Sequence, residues 1–289
     1  MEKILVTGAT GHLGNIVVEN LLKKVSAGQI SILVRDESKA QALKAKGVTV
    51  NIGSYQDIHS LNNAMKGIDK VLLISSSDFN DRIGQHKNVV DAAKQAGVKH
   101  ILYTGVTLKD IAASPLQPLL QDHFQTEDYI KESGLSFTFL QNSLYAEVIP
   151  MFVGEDVLKT GIFFPAGEGK VPFAVRKDLG EAIAIILAGE GHENKTYHLT
   201  ASKTYSFADI AAELTTLSGK KVNYTSPEDD AFEDMLKQFG LPEEIVLMSV
   251  LFAKGIKNND FNMADGTLES ILGREQTDVR MFLKEAFNL

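Results

Sequence analysis

Along roughly the first 140 residues, short apolar runs rich in β-branched side chains alternate with longer stretches of mixed polarity. The runs Ile4–Val6, Ile30–Val34, Val48–Ile52, Val71–Ile74, Ile101–Tyr103 and Phe137–Leu140 are apolar at most positions instead of at every second one. That pattern predicts strands buried on both faces. The intervals predict helices, several ending at glycine, as at Lys46-Gly47, Lys66-Gly67, Ala96-Gly97 and Ser133-Gly134, where the missing Cβ permits a left-handed cap. Strands alternating with helices predict an α/β fold, a Rossmann-type doubly wound parallel sheet.

Beyond Asn142 the alternation weakens. Met151 to Phe173, with Gly161, Pro165, Gly167, Gly169 and Pro172, predicts loops and short strands. Asp178 and Glu181 have capping-box spacing ahead of AIAIILAG, so a helix near 178–189 is expected to start there and pack back on the sheet. Tyr197–Leu199, a helix over Phe207–Leu217, Val222–Tyr224 and an acidic helix within Pro227–Phe239 complete a smaller α/β lobe. The expected division is a nucleotide-binding domain over 1–145 and a C-terminal substrate lobe over 146–289.

Composition narrows the function classes. At 44% hydrophobic and 23% charged residues the 289-residue chain is an ordinary globular protein. The 29 Lys and Arg against 37 Asp and Glu leave a net charge of −8, which provides no basic field for a nucleic-acid partner. The absence of cysteine excludes disulfides, thiolate catalysis and cysteine-ligated metals. His86, His100, His192 and His198 lack metal-ligand spacing, so no metal is expected. The start, MEKILVTGATG, enters a strand directly and the central apolar run Ala182–Ala188 is far too short to span a bilayer. The expectation is a cytoplasmic protein with a small-molecule partner, no membrane association, and a homodimer as the candidate assembly.

The segment ILVTGATGHLG places Gly8, Gly11 and Gly14 between the first strand and a helix, with Thr10, His12 and Leu13 in the same turn. In a dinucleotide site the first glycine makes the tight turn, the second admits the pyrophosphate and the third lets helix and strand pack closely, while free N–H groups at the helix start hold the anion. The end of the second strand selects the cofactor, by an acid for a ribose hydroxyl or a cation for a 2′-phosphate. Here Arg35 stands at that point, with Lys39 a helical turn later. NADP(H) is therefore expected, with NAD(H) the alternative that Asp36 keeps open. Ser75, Ser76, Thr104 and Gly105 follow the fourth and fifth strands, at carboxyl ends where open sheets bind ligands or simply turn.

Several stretches carry a family resemblance: VTGATGHLG at 6–14, ILVRDESKAQAL at 32–43, LLISSS at 72–77, AAKQAGVKHILYTG at 92–105, HFQTE at 123–127, FTFLQNSLY at 137–145 and GHENKTYHL at 191–199. Together they resemble the NmrA-like branch of the atypical short-chain dehydrogenase/reductases, and within it the reductases of quinones and triphenylmethane dyes. The resemblance implies NADPH along Gly8 to Gly14, Arg35 near the 2′-phosphate, a substrate cleft between lobes, and Asn142 and Tyr145 facing nicotinamide and substrate. One departure is Ser54-Tyr55, where the family's usual pair is Asp-Tyr. The resemblance also puts His123 where ether reductases of the family carry a functional lysine, so that it hydrogen-bonds the accepting oxygen or shuttles a proton. As an ordinary histidine near a helix start, His123 is instead an exposed or capping side chain, and Tyr145 is by the same measure a core aromatic. Tyr103, Tyr129 and Tyr145 are followed four residues later by Thr107, Ser133 and Ile149, so the Tyr-x-x-x-Lys pair of alcohol-oxidising and epimerising relatives is missing. The functional expectation is hydride transfer from NADPH to a quinone or similarly conjugated, largely apolar acceptor. The alternatives are a non-catalytic sensor of the NADP(H) redox state and, further off, an epimerase-like enzyme.

Overall fold

The computed structural model describes residues 2–78 and 80–289. In chain order the elements are β1 (Ile4–Thr7), α1 (His12–Leu21), β2 (Ile30–Val34), α2 (Gln41–Ala45), β3 (Thr49–Ile52), α3 (Ile58–Ala64), β4 (Lys70–Leu73), α4 (Arg82–Ala96), β5 (His100–Val106), α5 (Gln117–Ser133) and β6 (Ser136–Asn142). There follow α6 (Ile149–Val153), α7 (Val157–Thr160), β7 (Ile162–Phe163), α8 (Arg176–Ala188), β8 (Lys195–Leu199), α9 (Phe207–Ser218), β9 (Tyr224–Thr225), α10 (Asp229–Gln238), α11 (Glu243–Lys257), α12 (Thr267–Leu272) and α13 (Val279–Ala286).

Seven strands form one sheet in the order β3-β2-β1-β4-β5-β6-β8. From β3 to β6 every neighbouring pair is parallel, with Ile4 opposite both Ile30 and Lys70. Each of the six expected strands forms, within one to three residues at either end. The helix-ending glycines Gly47, Gly67, Gly97 and Gly134 have φ between 70° and 90°, the left-handed geometry that halts a helix without Cβ strain.

Two compact units divide the chain. The first comprises Met1–Val106, Asp122–Asn142 and Arg176–Tyr197. One of its cores lies between sheet and helices, where Leu5, Leu33, Val71, Leu73, Ile101 and Tyr103 meet Leu61, Val89, Val90, Ala93 and Ile130. Helix α8 packs on α1, and a Cβ on Gly180 would stand 2.5 Å from the Ile16 Cγ2. This helix begins two residues before the expected cap. Asp178 therefore lies inside its first turn, fully buried, because an acid stabilises the free N–H groups and positive dipole end from either position and spacing alone does not choose.

The second unit comprises Thr107–Gln121, Ser143–Val175 and His198–Leu289. Between Met151 and Phe173 it holds two short helices as well as the expected short strand. Pro150 enters the first turn of α6, where its missing N–H costs nothing, and Gly154 and Gly161 end α6 and α7 at positive φ. Strand β7 pairs in parallel with β9, Ile162 opposite Tyr224, so that strand falls two residues later than expected. Its core is aromatic: the Phe164 ring lies 4.9, 4.5 and 5.5 Å from those of Phe152, Phe207 and Phe232. Among the described residues no helix is long and apolar enough to cross a membrane.

Phe164 is fully buried, and its removal leaves a cavity that three rings cannot fill. Phe164→Ala is expected to destabilise the protein by about 3–5 kcal/mol, measured as a lowered urea midpoint of unfolding.

Candidate functional site

Strand order reverses at β1, whose successor in space on one side is β2 and on the other β4. The loops leaving neighbouring carboxyl ends then diverge and leave a crevice. A cleft of about 500 Å³ occupies that place. It is lined by Gly8, Thr10 and Gly11 after β1, Leu33 and Val34 on β2 and Arg35 just after it, Gly53–Gln56 after β3, Ile74–Asp78 after β4, and Gln85 on α4.

The turn after β1 is built for close approach. Gly8 adopts φ +62°, which favours glycine, and Gly11 N–H donates to its carbonyl at 3.0 Å. A Cβ on Gly14 would stand 2.2 Å from the Gly8 oxygen, so α1 can start against β1 only with glycine there. No acidic side chain occupies the first turn of α1 and no side chain caps it, leaving its amino end with the partial positive charge that favours an anion. These features fit a pyrophosphate.

Arg35 lines the cleft and is exposed. Asp36, next to it, caps the short turn Glu37–Ala40: its Oδ1 accepts the Ser38 N–H at 2.9 Å and the Ser38 hydroxyl at 2.6 Å. These bonds hold its carboxyl below the usual range. The acid that could have served a ribose 2′-hydroxyl is engaged elsewhere, while the cation faces the cleft.

Behind the cleft the loop after β4 is held from two sides. Ser75 N–H donates to Thr104 Oγ1 at 2.9 Å. Ser76 donates its N–H to His86 Nε2 (2.9 Å) and its hydroxyl to Gln85 (2.8 Å), and accepts at its carbonyl from Arg82 Nε (2.9 Å). His86 is fully buried, and burial followed by the Arg82 cation pulls its pKa down to about 3. Deeper still, His123 Nδ1 lies 2.8 Å from the Tyr103 hydroxyl. Burial, then Arg82 and His86, hold the His123 pKa well below its ordinary value. One turn along α5, the buried Glu127 accepts from Gln141 Nε2 at 2.9 and 3.1 Å, and burial raises its pKa to about 7.

Of the residues singled out in the sequence, Gly8, Thr10, Gly11, Arg35, Ser75 and Ser76 line the cleft. His12 is the exposed first residue of α1, Leu13 is buried beneath it, Gly14 packs on Gly8, and Lys39 is exposed in the turn after β2. Thr104 lies behind Ser75, and a Cβ on Gly105 would meet Glu127 at 2.9 Å. His123 lies in the interior of α5, which begins at Gln117 and takes Pro118 into its first turn, so it is neither an exposed nor a capping side chain. Asn142 ends β6, buried; Tyr145 is half-buried in the second unit, bridged to Ala174. His86, scattered among the histidines of the sequence, and Tyr103, Thr126, Glu127 and Arg82 join the site only through the fold. The spacing of His123, Thr126 and Glu127, three and four apart, was the available signal for a polar helix face. Among the described residues no group of three His, Asp or Glu could hold a metal ion.

Because folding raises the Glu127 pKa above its ordinary 4.5, the folded chain binds that proton more tightly than the unfolded one. Its stabilising contribution is complete below the unfolded pKa and is lost as pH rises toward 7. Glu127→Gln removes this loss, so denaturation midpoints of the variant relative to wild type are expected to rise as pH increases from about 5 to 8.

A model of the NmrA-like family matches residues 1–283. The chain is 39% identical over 287 residues to quinone oxidoreductase 2 of Escherichia coli (strain K12), covering 99% of each. It matches the crystal structure of an NADPH-dependent quinone oxidoreductase from Escherichia coli complexed with NADPH at a TM-score of 0.91 and 37% identity, over 99% of this chain and 100% of that one. Citrobacter sp. triphenylmethane reductase complexed with NADP(H) matches at a TM-score of 0.90 and 36% identity, over 98% and 99%. The crevice at the strand reversal, its glycine turn and this likeness across nearly the whole length agree: the chain belongs to the NmrA-like family.

Proposed function

We propose that the cleft binds NADP(H) and that the protein is an NADPH-dependent oxidoreductase acting on a quinone or a similarly conjugated, largely apolar acceptor. The observation that carries this reading is the pairing of an anion-ready glycine turn with Arg35 in a cleft from which Asp36 is withdrawn. The relatives reduce quinones or dyes by name, and two are complexed with NADPH or NADP(H).

When bound, NADPH supplies a hydride: a quinone and one proton from water become a hydroquinone, and NADP⁺ remains. The protein's part is to bind, orient and exclude water. Gly8, Thr10, Gly11 and the amino end of α1 hold the pyrophosphate, Arg35 the 2′-phosphate with Lys39 close behind, and Ser75 and Ser76 the far half of the dinucleotide. His123, Asn142 and Tyr145 are assigned to the acceptor. Without a Tyr-x-x-x-Lys pair, the chain lacks the tuned phenol that alcohol oxidation and epimerisation require, whereas an electron-poor ring accepts hydride with no such group. The net charge of −8 argues against a nucleic-acid partner, and a chain free of cysteine suits the cytoplasm.

Purified protein is expected to consume NADPH only when a quinone is added, followed by nicotinamide absorbance; tight NADPH binding with no turnover across a quinone panel would favour the redox-sensor alternative. Arg35→Ala removes a charge-assisted contact of about 1.5–3 kcal/mol, so NADPH affinity should fall roughly 10- to 100-fold while NADH affinity holds. Equal loss of both cofactors would overturn the 2′-phosphate assignment.

A further inference from the structure

Behind the cleft the hydrogen bonds restrict where each proton can sit. Ser76 N–H donates to His86 Nε2, so that nitrogen is bare and the proton of this neutral ring is on Nδ1. It is given to Thr126 Oγ1 at 2.8 Å. Thr126 in turn gives its own proton to the Asp122 carbonyl at 2.7 Å. Thr126 thus has no proton to give Tyr103, whose fully buried phenol stands 2.8 Å from His123 Nδ1 and beside the same threonine hydroxyl. A buried O–H without an acceptor costs about 1–3 kcal/mol; the Thr126 hydroxyl beside it already accepts from His86, and a bare imidazole nitrogen is the more basic acceptor, so Tyr103 donates to His123 Nδ1. The one proton of neutral His123 is then on Nε2, a nitrogen that makes no hydrogen bond among the described residues.

We infer that Tyr103 is a positioning residue: its phenol holds His123 as the neutral Nε2–H tautomer, so that His123 offers the acceptor's oxygen a hydrogen-bond donor. This rests on the proposed reading in which His123 faces the acceptor. The groups around the ring favour the neutral form. Arg82 and His86 face it from α4 and Tyr103 from β5, with Asp122 and Glu127 on its own helix; the Arg82 cation opposes a second positive charge. Nor is Tyr103 a relay, because burial raises its pKa far above the ordinary phenol value and a buried phenolate is not accessible. His123 therefore keeps its Nε2 proton while negative charge develops on the reduced oxygen, and the proton that completes reduction comes from water.

Two readouts test this separately. Long-range ¹H–¹⁵N spectra of histidine-labelled full-length protein at neutral pH, assigned by comparison with His123→Gln, are expected to show His123 with a protonated Nε2 and a bare Nδ1. Tyr103→Phe keeps the ring and its edge contact to His86 at 5.3 Å but removes the donor. It should give a tautomer mixture and a roughly tenfold lower kcat with menadione, with KM for NADPH unchanged. A protonated Nδ1 in the wild type overturns the inference, even if the variant fails to fold. So does a Tyr103→Phe protein whose tautomer and kcat match wild type. If the tautomer is as assigned but His123→Ala reduces menadione at the wild-type rate, the placement of His123 at the acceptor falls while the proton assignment stands.

Discussion

A methyl group on Gly14 would stand 2.2 Å from the carbonyl oxygen of Gly8, and the geometry of the cleft depends on that atom being absent. With glycine at this place α1 starts directly against the end of β1, and its uncapped N–H groups open onto the crevice. The same economy of volume recurs at Gly180, where α8 seats on α1 with no room for a Cβ beside Ile16. Backbone is thus brought to the crevice because α1 approaches the end of β1, and α8 approaches α1, more closely than side chains allow.

The chemistry of the cleft is divided by depth. At its rim Arg35 is hydrated and charged, suited to a phosphate that arrives from water. Beneath the loop after β4, burial strips charge from the titratable groups. Burial pulls the His86 and His123 pKa values below the ordinary imidazole range and pushes that of Glu127 up to about 7. Arg82, 4% exposed, stays among them with its Nε donated to the Ser76 carbonyl. Such a layer orients neutral donors and acceptors without long-range repulsion, and its inner groups are matched to one another because the same low dielectric makes an unmatched group costly. One hydrogen-bond chain, from Ser76 through His86 and Thr126 to the Asp122 carbonyl, connects the loop at the cleft with the helix that carries His123.

Where the chain's own periodicity governs an element, the sequence was sufficient. Buried parallel strands must be apolar on both faces, so β1, β2, β4, β5 and β6 stand out as runs, while the edge strand β3 also reads as a run yet is not buried; the turn from β1 into α1 is legible because backbone conformation and close packing demand glycine at fixed spacing. The place of Arg35 was legible for the same reason: it follows the end of β2, and the fold brings it to the cleft. Elements outside the sheet were less so. Helices α6 and α7 lie in a stretch whose prolines and glycines suggested loops, and the first turn of α8 starts before the residues that looked like its cap, because Pro150 and Asp178 serve helix starts at more than one position.

The sequence by itself thus determined the strands β1 to β6, the glycine turn and the cation at the end of β2, consequences of local pattern and of the fixed order in which strands and helices alternate, whereas β8, expected in the smaller lobe, joins the main sheet beside β6. It also excluded thiol chemistry, since no cysteine is present. The tertiary structure alone decided that His86, Tyr103, Thr126 and His123 form one polar layer and that Glu127 meets Gln141. Those residues come from α4, β5, α5 and β6 and are up to dozens of positions apart, so no spacing rule connects them. Their protonation states follow from burial and from neighbours, both properties of the folded chain.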